Sequence, residues 1–425
     1  MLIPEQNAVV PRGSMNVLFL TSTLPRFLGD MQPSFVLDQA HAWMEQRPDD
    51  RVAILAPHDA GAALTERVGE VEVRRFRYCW PENWQKLAYP AILPNLKNHP
   101  VTALLILPFL IAEFLATFFM VRAQKLDLIY AHWVMPQGLI AYLIKRICGT
   151  AYVLQNHSSD LEIFTRLGPL GRALARRIIR GSDKLFCVNA KQRTFALELF
   201  EGSGRDEMEQ KIVTLPMGVA SDFARDNQSS YAKKSSFRYD LGTISRLSRK
   251  KGLPFLIDAV DRLKRDGREI TTGIAGDGED RKALMHAARS ADVEFTGFLQ
   301  GADKKDFFEQ TRIFVFTSVA AGADVEGLPV SLLEALCLGK MVIASRDTNI
   351  EMLPEWALLK QHICFLEDPS DIDAFEQAIR QVTVLDREAL HARSRQIRAI
   401  MSRYRWDRLI QEYLGACGIS EQVAA

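Results

Sequence analysis

The stretch VEGLPVSLLEALCLGK, residues 325–340, places two carboxylates in an otherwise apolar run. Pro329 suits the first turn of a helix, where its missing N–H costs nothing, so we expect a helix to start near Leu328. The free N–H groups and the dipole of such a helix start favour an anion, above all phosphate. Glu334 would lie on this helix, and a buried carboxylate there needs hydrogen-bond donors, which the vicinal hydroxyls of a ribose would supply. A glutamate that simply faces water on an amphipathic helix is the alternative.

A second segment, GTISRLSRKKG at 242–252, follows a predicted strand and opens a predicted helix. Arg246 and Lys251 are five positions apart, across a turn that ends in Gly252. Two cations at the carboxyl end of a strand can neutralise a diphosphate. A solvated basic loop is the alternative interpretation.

Two further turns follow predicted strands in the same half of the chain. GIAGDGED at 273–280 has the order strand, glycine turn, helix, but it lacks the third glycine of the dinucleotide-binding fingerprint. FTGFLQ at 295–300 repeats the order of strand and turn. We expect both turns to border one sheet edge, where their backbone groups could contact a flat base and Phe298 would lie nearby.

Beyond these segments, short β-rich runs alternate with helical patterns, which predicts parallel sheets with helices on both faces. The polar stretch 221–236 has the composition of a linker, and the alternation restarts after it. We therefore predict two Rossmann-like α/β domains, 15–220 and 237–401, that face a cleft, with residues 402–425 packing back on the first. The predicted strands are 16–21, 51–56, 126–131, 151–155, 184–188, 211–215, 237–244, 269–275, 293–297, 312–318, 340–345 and 362–366.

Composition excludes some classes of function. The chain of 425 residues has 52 acidic and 53 basic side chains, so no overall field favours nucleic acid. Its six cysteines lack metal-site spacing and indicate a reducing, cytoplasmic location. Asp371 and Asp373 precede a helical pattern, which predicts capping and no metal site. Residues 1–14, which end in VPRGS, resemble a tag remnant or an N-terminal extension.

The segment VTALLILPFLIAEFLATFFMV, residues 101–121, is about long enough to cross a bilayer. We interpret it as a buried helix, with a membrane-surface helix and a true span as alternatives. Arg172, Arg176 and Arg180 share one face of another predicted helix, which favours either simple solvation or an anionic surface. Together these segments suggest a lipid-linked acceptor at the inner face of the membrane.

The order of motifs resembles a known family. The segments GTISRLSRKKG, IAGDGED, FTGF and EGLPVSLLEALCLGKMVIAS are similar, in order and spacing, to the retaining glycosyltransferases of family 4, which have the GT-B fold. The first half adds similar segments: LPRFLGDMQPSFVLDQA (24–40), DLIYAHWVMPQG (127–138), QNHSSD (155–160) and LPMGVASDF (215–223).

The resemblance implies a donor site in the second half. Arg246 and Lys251 would hold the diphosphate of a nucleotide-diphosphate sugar. Glu334 would bind the ribose hydroxyls, and Glu326 would hydrogen-bond the hydroxyls of the donor sugar as a catalytic residue.

The resemblance also implies backbone contacts with the donor and a set of contacts from the first domain. Gly327 and Leu328 would offer backbone N–H groups to the donor. His157 and Asp160 would face the sugar and the acceptor as catalytic residues of the first domain. Gly29 would allow the opening loop to approach the ligand closely.

The implied reaction moves a sugar to a hydroxyl acceptor with retention, without a cofactor or a metal ion, in glycan, exopolysaccharide or glycolipid synthesis. Two alternatives stay open. One is a nucleotide-sugar epimerase or hydrolase of the same fold, and the other is a nucleotide-sugar-binding regulator without turnover.

Overall fold

Two sheets organise the chain, each in a separate unit. The computed structural model describes residues 13–27, 29–30, 32–157, 160–161, 164, 167–200, 204–220, 231, 236–288, 292–320 and 328–419. One unit comprises Met1–Gly218 with Trp406–Ala425, and the other comprises Val219–Arg405. Of the predicted linker 221–236, all but Tyr231 and Ser236 lie outside the described residues.

The first unit contains an eight-stranded sheet in the order β3-β4-β2-β1-β5-β6-β7-β8. Its neighbours pair in parallel except the edge strand β3, which is antiparallel to β4. The strands are β1 (Asn16–Leu20), β2 (Arg51–Pro57), β3 (Thr65–Val68), β4 (Val71–Phe76), β5 (Leu128–His132), β6 (Ala151–Asn156), β7 (Leu185–Cys187) and β8 (Ile212–Thr214).

The second unit contains a six-stranded, wholly parallel sheet in the order β11-β10-β9-β12-β13-β14. The order reverses between β9 and β12, as in dinucleotide-binding folds. The strands are β9 (Tyr239–Ile244), β10 (Thr272–Ala275), β11 (Val293–Gly297), β12 (Thr311–Phe316), β13 (Met341–Ser345) and β14 (Cys364–Leu366). The two doubly wound sheets confirm the predicted fold class.

Helices cover both sheets. In the first unit they are α1 (Phe35–Gln46), α2 (Ile92–Asn98), α3 (Ile106–Gln124), α4 (Leu139–Cys148), α5 (Gly168–Gly181), α6 (Ala190–Glu198) and α7 (Arg205–Lys211). In the second they are α8 (Leu253–Arg265), α9 (Arg281–Ala287), α10 (Gly301–Gln310), α11 (Val330–Cys337), α12 (Trp356–Leu359), α13 (Ile372–Thr383) and α14 (Arg387–Met401). The closing helix α15 (Trp406–Ala416) packs its buried aromatic residues into the core of the first unit, beside α1.

Helix starts follow the sequence signals closely. Helix α11 begins at Val330, with Pro329 as its N-cap, two residues later than expected. Asp371 caps α13, because its carboxylate accepts a hydrogen bond from the N–H of Ala374 at 3.0 Å. The capping role predicted for Asp371 is therefore confirmed.

Helix α3 corrects the interpretation of residues 101–121 as a buried helix. Only 28% of its most apolar window is buried, and an apolar stripe at helical spacing faces solvent. The stripe consists of Val101 and Leu104, in the short 3-10 helix Pro100–Leu105 that leads into α3, and of Leu107, Ile111, Leu115 and Phe119 in α3. By length and composition alone, Pro100–Gln124 is the one helix among the described residues that could cross a membrane. Local hydropathy could not distinguish this half-exposed helix from one that lies in a core.

On its buried side, α3 carries a carboxyl group with no charged partner among the described residues. Glu113 is fully buried, and its Oε1 accepts a hydrogen bond from Nε2 of Gln137 at 3.0 Å. Burial raises the pKa of Glu113 to about 8, although the Gln137 bond opposes the shift. Glu113 Oε2 and Gln137 Oε1 have no partners among the described residues. Burial without a charged partner favours the neutral acid.

Replacing Glu113 by Gln should therefore flatten the pH dependence of stability. The folded pKa lies above the ordinary value of 4.5, so unfolding releases a proton from Glu113 between about pH 4.5 and pH 8. Wild-type stability should fall as pH rises through this window and level off above it. We expect Glu113→Gln to gain stability relative to the wild type from pH 5 to pH 8, as measured by urea unfolding. The exposed control Glu207→Gln should show no such gain, and an equal gain in both variants would contradict the assignment.

Candidate functional site

In the second unit, the candidate site lies where the strand order reverses, between the carboxyl ends of β9 and β12. Ligands bind at this point in open α/β sheets. Two hydrogen bonds join the loop after β9 to the segment after β12. Thr317 Oγ1 donates to the carbonyl of Lys251 at 2.8 Å, and the N–H of Val319 donates to the carbonyl of Lys250 at 2.9 Å. Gly252 has a φ of +59°, and a Cβ there would lie 2.0 Å from the Thr317 carbonyl oxygen, so only glycine fits.

The two predicted cations are both on this loop. Arg246 is exposed and forms an ion pair with Glu279 at 3.2 Å. Both side chains are more than half exposed, so the pair is weak and an anionic ligand could replace Glu279. Lys251 is half-buried. The loop therefore presents positive charge at the sheet edge where a phosphate group would bind.

Helix α11 starts at the same point. The hydroxyl of Ser331, in its first turn, donates to the carbonyl of Ile244 at the end of β9, at 2.8 Å. This bond holds the helix start, with its unpaired N–H groups, at the end of the strand that leads into the basic loop. Leu328 precedes the helix and is half-buried, whereas Glu326 and Gly327 lie outside the described residues.

Glu334 lies in the second turn of α11 and is 9% exposed. Its Oε1 accepts a hydrogen bond from Lys304 Nζ of α10 at 2.7 Å, while Oε2 is buried without a partner among the described residues. Burial raises the pKa of Glu334, and the charge and hydrogen bond of Lys304 oppose that rise. The protein thus pairs one oxygen of Glu334, and the other has no partner among the described residues. That a ribose hydroxyl binds this second oxygen stays a prediction.

The glycines of GIAGDGED have a packing role. The N–H of Leu247 donates to the carbonyl of Asp277 at 2.9 Å, which joins the turn after β10 to the basic loop. A Cβ on Gly276 would lie 1.8 Å from the Ser245 carbonyl oxygen, and one on Gly278 would lie 2.3 Å from that of Leu247. The turn therefore supports the loop that carries Arg246.

Phe298 follows the edge strand β11 and is 40% exposed. The N–H of Gly276 donates to the carbonyl of Gly297 at 2.7 Å, so the turns after β10 and β11 adjoin at one sheet edge, as predicted. An exposed aromatic ring at this edge could stack on a flat base.

In the first unit, two histidines meet beside the reversal of strand order, which lies between β1 and β5. His132 ends β5 and His157 follows β6, and Nδ1 of His132 is 2.9 Å from Nε2 of His157. Their rings are stacked with centroids 5.1 Å apart. Trp133, the next residue after His132, has a φ of +74°, a conformation that L residues rarely adopt and that is often found at functional sites.

Burial keeps both histidines neutral. It lowers the pKa of His157 to about 3, and burial together with His157 lowers the pKa of His132 well below its ordinary value. His157 Nε2 is engaged by His132, so Nδ1 is the nitrogen left for a ligand. His157 can therefore act as a hydrogen-bonding group at neutral pH and not as a cation.

Asp160 is buried, and its carboxylate is used inside the unit. Oδ2 accepts from the N–H of Val134 at 2.7 Å, and Oδ1 accepts from Nδ2 of Asn156 at 2.7 Å. These bonds hold the segment after His132 against the segment before His157. Both oxygens of Asp160 thus bind groups of the same unit, and its expected contact with the sugar stays a prediction.

The opening loop after β1 is held by an ion network. Arg26 bonds Asp30 at 2.8 Å and Asp59 at 2.6 Å. Burial alone would raise the pKa of Asp30, but the bonds from Arg26 lower it on balance. Gly29 is exposed in this loop with a φ of +88°, and a Cβ there would meet open space. The position therefore requires glycine for its backbone conformation and not for packing.

Two of the three predicted arginines of α5 contact other groups of the first unit. Arg172 is exposed, but Arg176 is half-buried and donates to the carbonyl of Leu199 at 3.4 Å. Arg180 lies over the ring of Phe200 with its guanidinium carbon 5.3 Å from the centroid.

Sequence reasoning did not identify Lys304 beside Glu334 in the second unit, nor His132, Trp133 and Asn156 around His157 and Asp160 in the first. Their partners are distant in sequence, and no local pattern marks Lys304. The one signal for His132 in the sequence was the family resemblance of the two histidine-containing segments, DLIYAHWVMPQG (127–138) and QNHSSD (155–160). Within the ranges that the structure describes, no group of three or more His, Cys, Asp or Glu could hold a metal ion.

Comparison with known families gives two matches that together cover most of the chain. Residues 34–211 match the family model described as glycosyl transferase 4-like domain. Residues 238–383 match the model described as glycosyl transferases group 1. The two matches fall in the two structural units.

Among similar proteins, TuaC of Bacillus subtilis, a glycosyltransferase named for teichuronic acid biosynthesis, is 25% identical over 262 residues. The match spans 60% of each chain. The GDP-mannose-dependent α-(1-6)-phosphatidylinositol monomannoside mannosyltransferase of Mycolicibacterium smegmatis is 26% identical over 69% of this chain and 75% of its own. The crystal structure of Anabaena HepE with UDP and glucose superposes with a TM-score of 0.61, at 17% identity, over 94% of this chain and 99% of that one.

Proposed function

Because this chain belongs to glycosyltransferase family 4 of the GT-B fold, we propose that it moves a sugar from a nucleotide-diphosphate donor to a hydroxyl acceptor. Glycosyltransferase activity in polysaccharide or glycolipid synthesis follows from the family and its relatives. The observation that carries the donor proposal is Glu334, which is held by Lys304 and keeps one buried oxygen without a partner among the described residues. A ribose hydroxyl would satisfy that oxygen.

The chemistry of the basic loop suits departure of a diphosphate. As the bond between the sugar C1 and the diphosphate oxygen breaks, negative charge grows on the leaving group. Arg246, Lys251 and the start of α11 would stabilise it, which is the kind of interaction that contributes most to catalysis. We propose that this positive charge replaces a divalent metal ion.

We further propose retention of configuration by departure and attack on the same face of the sugar. The acceptor oxygen forms the new bond to C1, and its proton passes to an oxygen of the departing diphosphate. A double displacement would need a free carboxylate, and both oxygens of Asp160 are already bound within the unit. Neutral His157 would donate a hydrogen bond to a sugar hydroxyl.

A panel of nucleotide sugars tests the donor proposal. One member should raise the melting temperature and undergo slow hydrolysis without acceptor, since water can replace the acceptor hydroxyl. Product analysis should show transfer of the sugar once a hydroxyl acceptor is present. No stabilisation by any UDP-, GDP-, TDP- or ADP-sugar would overturn the proposal, and an isomerised sugar would indicate an epimerase.

We also propose a cytoplasmic enzyme that contacts the inner membrane face. The support is the exposed apolar stripe of α3 and the exposed Arg172 and Arg177 of α5. The similar mycobacterial enzyme is named for a phosphatidylinositol-based acceptor, which fits a lipid-linked acceptor here.

A further inference from the structure

Along the stripe of α3 lies a groove that is separate from the donor site and shares Ile111 and Leu115 with the stripe. It is lined by apolar side chains of α3 and by the segment that follows β4, and its volume is about 520 Å³. That volume lies within the range of about 300–1,000 Å³ that small-molecule ligands occupy. The lining residues used below are Tyr78, Trp80, Ile111, Ala112 and Leu115.

The groove is continuous with an exposed apolar surface. Trp80 is 75% exposed and Ile111 is 50% exposed, so the groove is open to solvent along its length. Trp84, on the same segment, is also exposed. Soluble proteins seldom expose a contiguous surface of this kind without a partner, and exposed indoles beside an apolar helix are typical of contact with lipid.

We propose that this groove binds the hydrocarbon chain of a phosphate-bearing lipid acceptor. The inference rests on the proposed function and specifies the class of its acceptor. This proposal differs from general membrane contact, because one hydrocarbon chain of one lipid molecule occupies the groove while the rest of the stripe faces bulk lipid.

Position favours an acceptor over an unrelated ligand. Arg77 and Tyr78 directly follow β4, so the groove opens at the carboxyl edge of the sheet. His132 and His157 lie at the same edge, after β5 and β6. From β4 to β5 there are three strand spacings, or roughly 14 Å. A lipid whose chain lies in the groove could therefore present a phosphate-linked sugar towards the histidines.

Charge favours a phosphate-bearing lipid over an apolar protein surface. Residues 77–125 contain five basic side chains and two acidic ones, and one of the acids is the buried Glu113. The basic residues are all exposed: Arg77, Lys86, Lys97, Arg122 and Lys125. Of these five, Arg77 lines the groove, and its ion pair with Glu82 is partly exposed, so a phosphate at the mouth of the groove could replace that carboxylate.

The test measures the affinity of the full chain for farnesyl phosphate by isothermal titration calorimetry, below the critical micelle concentration of this lipid. Isopentenyl phosphate, which carries the same phosphate on a shorter chain, is the control. Each methylene buried in the groove should add about fourfold in affinity, so the longer chain should bind at least tenfold more tightly. Ala112→Phe, which fills the groove, should remove that advantage and leave isopentenyl phosphate binding unchanged. The matched control is Leu104→Gln, which changes the stripe outside the groove and should keep the advantage.

Vesicles of phosphatidylglycerol separate the groove from the stripe. Leu104→Gln should weaken vesicle binding, and Ala112→Phe should leave it unchanged. If Ala112→Phe does not fold, as judged by circular dichroism, Cys79→Phe takes its place, because Cys79 lines the groove and is not part of the stripe. Equal affinity for farnesyl phosphate and isopentenyl phosphate would overturn the proposal. So would an equal effect of Ala112→Phe and Leu104→Gln on the preference for the longer chain, or a dimer in sedimentation whose interface covers Trp80. Donor stabilisation is measured in every variant: if it persists while the chain-length effect is absent, the groove assignment alone fails.

Discussion

Replacing Lys251 by Ala is expected to lower kcat for sugar transfer by about 100-fold or more, with no loss of thermal stability. Removing one preorganised group that faces the developing charge usually costs about 100- to 1,000-fold. The fold should not depend on this side chain, because the loop is held by the carbonyls of Lys250 and Lys251. The measurement is the initial rate of transfer at saturating donor, with the melting temperature as a check on folding.

Arg249→Ala is the matched control, because Arg249 is exposed on the same turn. It should reduce kcat by less than about threefold, the modest effect of one screened surface charge. If Arg249→Ala and Lys251→Ala reduce kcat equally, the loop acts through general charge and the specific role of Lys251 fails.

Replacing Glu334 by Ala is expected to weaken donor binding by about 10- to 100-fold, because hydrogen bonds to a charged group contribute about 1.5–3 kcal/mol. Folding should persist, because burial of this carboxylate is unfavourable, as its raised pKa shows. Calorimetric titration with the nucleotide diphosphate gives the affinity. Affinity equal to that of the wild type would remove Glu334 from the site.

The partner Lys304 provides a second, pH-dependent measurement. In Lys304→Met the opposing charge is lost, so the pKa of Glu334 should rise further and donor binding should weaken as pH falls. Binding should recover as pH rises and the carboxylate is ionised again, and Lys304→Arg should behave as the wild type. Lys305→Met, one residue away, is the control. A pH profile identical in Lys304→Met and Lys305→Met would show that Lys304 has no positioning role.

The strands illustrate how far the sequence alone can predict this fold. Central parallel strands are covered on both faces and are therefore continuous apolar runs, such as NVLFL in β1. All twelve predicted strands are present with small shifts at their ends. Strand β3 was missed because TERV has only half-buried and exposed residues, so its sequence resembles a loop. Strand β4 was missed because VEVRRF contains three charged side chains and no continuous apolar run.

The sequence by itself determined the features that depend on neighbouring residues along the chain. These are the strands, the start of α11 after Pro329, and the basic turn that ends in Gly252. Only the tertiary structure decided which side of α3 is buried and which groups meet across elements. Lys304 and Glu334 are 30 residues apart, His132 and His157 are 25 apart, and Glu113 and Gln137 are 24 apart. The hydrogen bonds and desolvation that set their charge states arise from packing between elements, which no local pattern of residues encodes.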